Sequence, residues 1–183
     1  MSERSSVRPP QVAHRHDDAM TFTVRTARIA DAPEIAELHV STWREAYSHL
    51  LPDTFFSEEY VAARHRMWGY VLSHPTDDVV VRVAESEGKI IGFAWVGPGA
   101  GREGEVPPRE RQLYAIYLAA IHHGSGAAQE LVDEVLGDGE AMLWVAKENP
   151  RATAFYLRNG FHFDGTEQRD PSAPAMTAAR MVR

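Results

Sequence analysis

One segment restricts the possible folds most strongly, because a strand-like run leads into a glycine-bearing turn and then into a helical pattern. The run QLYAIYL occupies residues 112–118, glycines stand at positions 124 and 126, and the helical pattern extends to residue 136. Glycine lacks a Cβ, so a ligand can approach its main chain closely. The first turn of a helix adds unpaired N–H groups and a positive dipole end. The segment therefore indicates either a phosphate site or a tight turn whose small residues serve strand–helix packing.

The rest of the chain predicts the element order β-α-α-β-β-β-α-β-α-β-β. Strands are predicted at 21–27, 112–118 and 141–147, with a hairpin at 77–97 that turns at Gly88 and an antiparallel pair after Gly160. Helices are predicted at 31–47 with Asp31 as N-cap, at 57–72 with Ser57 as N-cap, and at 150–159. The fourth and fifth strands are joined through a helix, so they should lie parallel by a right-handed crossover. The other strands should be antiparallel.

Length and composition favour one ordinary globular domain over residues 21–183, preceded by a polar tail over residues 1–20 that we expect to be disordered. The chain has no cysteine, which excludes disulfides, thiolate metal sites and a cysteine nucleophile. A net charge of −7 argues against nucleic-acid binding. There is no apolar run long enough to span a bilayer and no paired histidine spacing typical of a metal site. We therefore expect a cytoplasmic protein without a metal.

Two familiar phosphate-binding patterns fit the glycine turn poorly. No lysine follows the glycines, as a Walker A loop would require. A dinucleotide-binding G-x-G-x-x-G pattern would place Gln129 at its third glycine, and three antiparallel strands precede the turn. Dinucleotide binding remains a weaker alternative.

Two stretches together resemble the signatures of the GNAT superfamily of N-acetyltransferases. HGSGAA, read from His123, resembles the Q/R-x-x-G-x-G/A acyl-CoA pyrophosphate motif, with histidine in place of the usual Gln or Arg. LWVAKENPRATAFYLRNGF, residues 143–161, resembles the second signature, and the similarity covers essentially residues 21–183. The resemblance implies a mixed α/β fold with a mostly antiparallel central sheet, parallel fourth and fifth strands that splay apart, and helices on both faces.

The resemblance also implies acetyl-CoA as co-substrate and assigns its binding to three groups of residues. The pantetheine arm would pair with the fourth strand at Ile116, Tyr117 and Leu118. The pyrophosphate would meet the N–H groups of the turn, from His123, Gly124, Ser125 and Gly126 to Ala127 and Ala128. Asn149, Ala152 and Phe155 would line the pantetheine chain, although Phe155 is equally consistent with plain core packing.

Tyr156 is, by the same resemblance, the general acid that protonates the leaving thiolate. A phenol with a pKa near ~10 suits a thiolate of similar basicity; the alternative is an aromatic that only packs on a helix face. Some family members use a glutamate on the fourth strand as base, but Gln112 stands there and cannot act as one. Glu45, His39 and His122 are the other candidates, and the base stays open.

The first helix and the loop after it would enclose the acceptor. Trp43 and Tyr47 share a helix face and could wall a pocket, while Glu45 could attract a cation; both aromatics are also consistent with core packing. The resemblance implies an enzyme that transfers acetyl to a primary amine by direct attack in a ternary complex, the acceptor being a small cationic metabolite or an amine antibiotic. A non-catalytic acyl-CoA-binding or sensing module and a protein N-acetyltransferase are the alternatives. A homodimer is possible.

Overall fold

The computed structural model describes residues 21–101, 105–169 and 173–183. In these ranges the chain forms one mixed sheet of seven strands in the order β1-β2-β3-β4-β5-β7-β6, with four α-helices. The strands are β1 Thr23–Thr26, β2 Val80–Ser86, β3 Lys89–Pro98, β4 Arg111–Leu118, β5 Met142–Ala146, β6 His162–Arg169 and β7 Thr177–Val182. The helices are α1 Ala32–Tyr47, α2 Glu58–Ser73, α3 Ala127–Leu136 and α4 Pro150–Arg158. The tail predicted at residues 1–20 lies outside the described residues.

The predicted element order is confirmed, and so are several local signals. Glu87 and Gly88 both have positive φ, 51° and 75°, so a two-residue turn closes the β2–β3 hairpin. The Ser57 side chain accepts a hydrogen bond from the Tyr60 N–H and caps α2. Asp31 occupies the N-cap position of α1, as predicted, but its side chain makes no capping hydrogen bond to the helix. Its carboxylate instead accepts from the Arg28 N–H at 2.7 Å and pairs with Arg25 at 2.7 Å.

The parallel pair β4–β5 is short, and the two strands separate after it. Only Gln112↔Met142 and Leu113↔Leu143 are in register, although β4 continues to Leu118. β4 is also bulged, because Leu113 and Ala115 oppose consecutive β3 residues and Tyr114 between them has no partner. The rest of β4 therefore has a free edge toward β5, which itself pairs along its length with β7. The predicted parallel and splayed pair is confirmed.

Helices cover both faces of the sheet, as predicted. On one face, α1 and α2 bury Ile35 and Trp68 against Phe93. On the other, α3 and α4 bury Leu131 and Tyr156 with residues of β2 to β5 and β7. Among the described residues, none of the helices is both long and apolar enough to cross a bilayer. The two packed layers leave the gap between β4 and β5 as the opening into the sheet.

Candidate active site

A groove of about 1550 Å³ opens where β4 and β5 separate. It runs from the turn before α3, along the free edge of β4 and the N-terminal half of α4, to a wall made by α1 and α2. We call its two ends the turn end and the acceptor end. Thirteen of the predicted site residues line it: Trp43, Glu45, Tyr47, Ile116, Tyr117, Leu118, His123, Gly124, Ala128, Asn149, Ala152, Phe155 and Tyr156.

The turn end presents main-chain donors to open space. Gly124 and Gly126 have φ of 84° and 91°, a conformation that side-chain-bearing residues rarely adopt, and a Cβ at either would meet no atom within 4 Å. In the described part of the chain, the N–H groups of Gly124, Gly126 and Ala128 donate to no acceptor. Free N–H groups at the N-terminus of α3 are suited to an anion. The geometry thus fits a phosphate-bearing ligand.

Three residues of the predicted phosphate turn do not line the groove. Ala127 is fully buried and packs in the core beneath the sheet. The Ser125 hydroxyl accepts from the Ala127 N–H at 3.3 Å, and Gly126 begins α3. These three residues help to determine the shape of the turn.

Two arginines of α4 add positive charge to the groove, and sequence reasoning missed both. The His123 ring lies between the Leu118 carbonyl, 3.1 Å from Nε2, and the Arg151 guanidinium, which contacts Nδ1. Arg151 and Arg158 both line the groove and are exposed. Arg151 follows Asn149-Pro150 in the first turn of α4, and that position was the only available signal. Cations here would favour an anionic ligand.

Tyr156 lies in the groove with its ring buried against Phe155 and Phe161. Its hydroxyl bonds to no residue in the described ranges. Burial raises the pKa of Tyr156 well above its ordinary value, and the nearby Tyr117 and Tyr47 hydroxyls add to the shift. The phenol therefore stays protonated and has a proton to donate to a group that enters the groove.

Asn149 joins the start of α4 to α1. Its Oδ1 accepts from the Ala152 N–H at 3.0 Å and caps α4, while its Nδ2 donates to the Tyr47 hydroxyl at 3.1 Å. Phe155 both lines the groove and packs against the core, so the two interpretations of that residue are compatible. The Asn149 amide positions the groove walls and borders its interior.

Aromatic rings from α1 and α2 close the acceptor end. The Trp43 and Tyr47 ring centroids are 5.0 Å apart, and Trp43 stacks on Phe55 at 6.2 Å. The Trp43 Nε1 donates to the Tyr117 hydroxyl at 2.8 Å. Trp43 and Tyr47 belong to a small apolar cluster and also line the groove. Sequence reasoning missed Phe55, with Tyr60 and Arg64 of α2.

The structure shows which of the general-base candidates lie in the groove. Gln112 is buried outside the groove, and its Oε1 accepts from the Ala100 N–H at 3.2 Å. His39 is also buried; it accepts from Trp68 Nε1 at 3.1 Å, and burial, with the nearby Arg64 charge, lowers its pKa to about 3. His39 is therefore not a base for the groove, and His122 does not line it.

Among the described residues, the carboxylates in the groove are Glu45, exposed at the rim, and Glu148, which sequence reasoning missed. Glu148 accepts from the Thr177 N–H at 3.2 Å through both carboxylate oxygens. No cluster of three or more metal-binding side chains occurs within residues 21–101, 105–169 and 173–183.

Comparison with known proteins gives consistent matches. The sequence profile of the Acetyltransferase (GNAT) family matches residues 32–161. A probable N-acetyltransferase of Mycobacterium tuberculosis is 27% identical over 148 residues, covering 78% of this chain and 80% of the relative. An uncharacterized N-acetyltransferase of Bacillus subtilis is 30% identical over 134 residues, 70% of this chain and 73% of the relative.

Solved structures show the same fold. The PaiA N-acetyltransferase of Thermoplasma acidophilum, crystallised with coenzyme A, superimposes with a TM-score of 0.66 at 20% identity, covering 88% of this chain and 98% of that one. A ribosomal-protein-alanine N-acetyltransferase of Brucella melitensis gives the same values: TM-score 0.66, 20% identity, 88% and 98% coverage. At 20% identity, these two structures show the fold alone.

Proposed function

Because this chain belongs to the Acetyltransferase (GNAT) family and is an acetyl-CoA-dependent N-acetyltransferase, we propose that its groove brings acetyl-CoA together with a small primary amine. The observation that carries the proposal is the coincidence of a free β4 edge with unpaired N–H groups at the start of α3. A thioester with a long amide-bearing arm and a pyrophosphate needs both features. Coenzyme A in the Thermoplasma acidophilum structure supports the choice of ligand. Residues 21–183 form the one acetyltransferase domain.

The binding roles follow the shape of the groove. The pyrophosphate lies over the N–H groups of Gly124, Gly126 and Ala128, with Arg151 balancing its charge. The pantetheine amides pair with the free β4 edge at Ile116 to Leu118, in place of the missing β5 partner. Asn149, Ala152 and Phe155 line the opposite side.

The chemistry is direct transfer in a ternary complex. The neutral amine nitrogen attacks the thioester carbonyl, a C–N bond forms, the C–S bond breaks, and Tyr156 gives its proton to the departing sulfur. The new amide nitrogen loses its extra proton, which restores the Tyr156 hydroxyl. A covalent acetyl-cysteine intermediate is excluded because the chain has no cysteine. Holding both reactants in one groove supplies the proximity on which such a reaction depends.

The amine must lose a proton before it attacks. Glu45 at the rim attracts the ammonium form, and Glu148 inside the groove is the carboxylate that can relay its proton to solvent. Gln112 faces the Ala100 loop and takes no part, so its presence does not argue against catalysis. The enclosed aromatic wall at Trp43 and Tyr47 favours a small metabolite or amine antibiotic over a protein chain.

The test is a screen of small amines with acetyl-CoA, with released coenzyme A measured by a thiol reagent. The protein contributes no thiol, so the background is low. We expect amine-dependent release of coenzyme A and an acetylated product by mass spectrometry. Acetyl-CoA binding without turnover of any amine, peptide or protein would instead indicate a non-catalytic acyl-CoA-binding module. Turnover confined to protein substrates would contradict the small-amine assignment.

A further inference from the structure

Two neighbouring side chains at the acceptor end of the groove each carry an unsatisfied polar atom. Among the described residues, four buried side-chain nitrogen or oxygen atoms have no hydrogen-bond partner: Tyr60 Oη, Arg64 Nε, Trp95 Nε1 and His122 Nδ1. Tyr60 and Arg64 stand four residues apart on α2, and both line the groove. Buried polar atoms are normally paired, so two unpaired ones at one place in a binding groove require an explanation.

Within the ranges that the structure describes, the Arg64 guanidinium has no counter-ion. It stacks over the Tyr60 ring, 4.6 Å from the centroid, and its Nη1 reaches only the Met67 sulfur at 3.9 Å. No carboxylate within the described ranges approaches it to ion-pair distance. Arg66, on the same helix, pairs with Glu59 at 2.6 Å and is exposed. A half-buried arginine without an anion is costly to the fold, which a ligand bound there would offset.

Arg64 lies close to the reacting end of the groove. Burial raises the pKa of the Tyr117 hydroxyl, and the positive charge of Arg64 offsets part of that increase. The Tyr117 hydroxyl in turn accepts a hydrogen bond from Trp43, which lines the acceptor end of the groove. Arg64 and Tyr117 therefore lie near each other in the lining of the groove, at the end where an acceptor would bind.

Building on the proposed function, we propose that the acceptor is an amine that also carries a carboxylate, which Arg64 and Tyr60 bind. The planar guanidinium fork matches a carboxylate, and the Tyr60 hydroxyl supplies a further donor beside it. Trp43 and Phe55 next to them suit an apolar or aromatic side chain. The acceptor is thus a zwitterion of the amino-acid type, with its amine toward Tyr156 and its carboxylate toward α2.

The acceptor proposed here also carries an anionic group, so it differs from the purely cationic amine expected from the sequence. Glu45 still attracts the ammonium group at the rim, but a second ammonium group placed deeper would meet Arg64. Like charges at such a distance repel, so polyamines are expected to be poor acceptors.

The experiment compares matched acceptors that differ only in the anionic group. The L-amino acids are assayed beside their amides and their decarboxylated amines, for example phenylalanine, phenylalaninamide and phenethylamine. We expect kcat/KM to favour the carboxylated member by roughly 10-fold or more, the value of a charge-assisted hydrogen bond. Preference for the matching aminophosphonate would contradict the assignment to a carboxylate.

Four variants test which residues produce this preference. Arg64→Gln should abolish the preference by raising KM for the carboxylated amine, while Arg64→Lys restores part of it. Arg66→Gln, whose side chain lies outside the groove, should leave it unchanged. Tyr60→Phe removes only a hydroxyl and should weaken the preference without affecting folding. A preference that survives in Arg64→Gln, or rates equal for both acceptor classes in the wild type, would overturn the proposal.

A binding measurement separates failure of this proposal from failure of the proposed function. N-acetylphenylalanine, added with coenzyme A, should raise the melting temperature of the wild type but not of Arg64→Gln. If no amine is acetylated yet this shift is seen, the proposed function fails and the anion site stands. If amines are acetylated and neither this shift nor the preference is seen, the anion site fails alone.

Discussion

Replacement of Tyr156 by phenylalanine tests the chemical step with the smallest structural change. The Tyr156 hydroxyl has no partner among the described residues, so its removal breaks no bond of the folded chain. We expect the free energy of unfolding to change by less than about 0.5 kcal/mol, as for a substitution that creates neither a cavity nor an unpaired group. The affinity for acetyl-CoA should also be retained, because in the proposed role the hydroxyl contacts only the thioester sulfur.

The turnover of Tyr156→Phe should fall much more than its stability or its affinity for acetyl-CoA. A positioned general acid contributes roughly 10²- to 10⁴-fold, and water in the groove would supply part of the lost proton transfer. We therefore expect kcat for Tyr156→Phe to drop by about 100-fold. Because burial raises the Tyr156 pKa, the neutral acid persists as pH rises. In the wild type, kcat should show no loss from tyrosine ionisation up to about pH 10, the ordinary pKa of the group.

The assay is steady-state release of coenzyme A with the best amine from the screen, together with calorimetric titration of acetyl-CoA. Tyr70→Phe serves as control, since Tyr70 is 66% exposed on α2 and outside the groove. A kcat for Tyr156→Phe within threefold of the wild type would refute the acid role. A parallel loss of acetyl-CoA affinity would show instead that the hydroxyl binds the ligand.

The remaining predictions concern the turn, the strand and acid stability. Gly124→Ala should reduce acetyl-CoA affinity at least tenfold in a calorimetric titration. Gly88→Ala, with a similar positive φ and open surroundings, should cost about 1–2 kcal/mol of stability and leave affinity intact; equal effects on affinity would refute the phosphate site. Gln112→Glu should not raise kcat or shift its pH profile, because the side chain lies outside the groove; a gain would restore a strand-borne base. The hydrogen bond from Arg25 and burial act oppositely on Asp31, and its pKa is lowered overall, so its stabilisation is present above pH ~4 and lost as pH falls through the lower folded value. Asp31→Asn should therefore cost about 1–2 kcal/mol in urea unfolding at pH 7 and progressively less as pH falls below ~4. A cost independent of pH would contradict this.

The sequence predicted the features that depend on local chemistry. The strands, the Gly88 turn and the Ser57 cap depend on residues that are neighbours in sequence. Gly124 and Gly126 have the positive φ that glycine readily adopts. The parallel β4–β5 pair followed from the helix that joins the strands. Resemblance supplied the family and the separation of the two strands.

The acceptor end could not be predicted in the same way, because it depends on contacts between distant segments. Arg64 reaches the groove only through the packing of α2 against α1, and Phe55 belongs to the short 3-10 turn between these helices. The same packing buries His39 against Trp68 and lowers its pKa, which removes a residue that sequence alone kept as a candidate base. The Asp31 carboxylate makes no capping bond to α1, because Arg25 on β1 and the Arg28 N–H bind it instead.

The most direct test of the central claim is the melting temperature of the protein with acetyl-CoA, coenzyme A, NAD and S-adenosylmethionine, each added separately at millimolar concentration. A ligand that binds only the folded state at 100 times its Kd stabilises it by about 2.7 kcal/mol. Our account predicts a clear increase with acetyl-CoA and coenzyme A and none with the other two. An increase with NAD alone would contradict it, because the glycine turn would then hold a dinucleotide and the groove would not be an acetyl-CoA site.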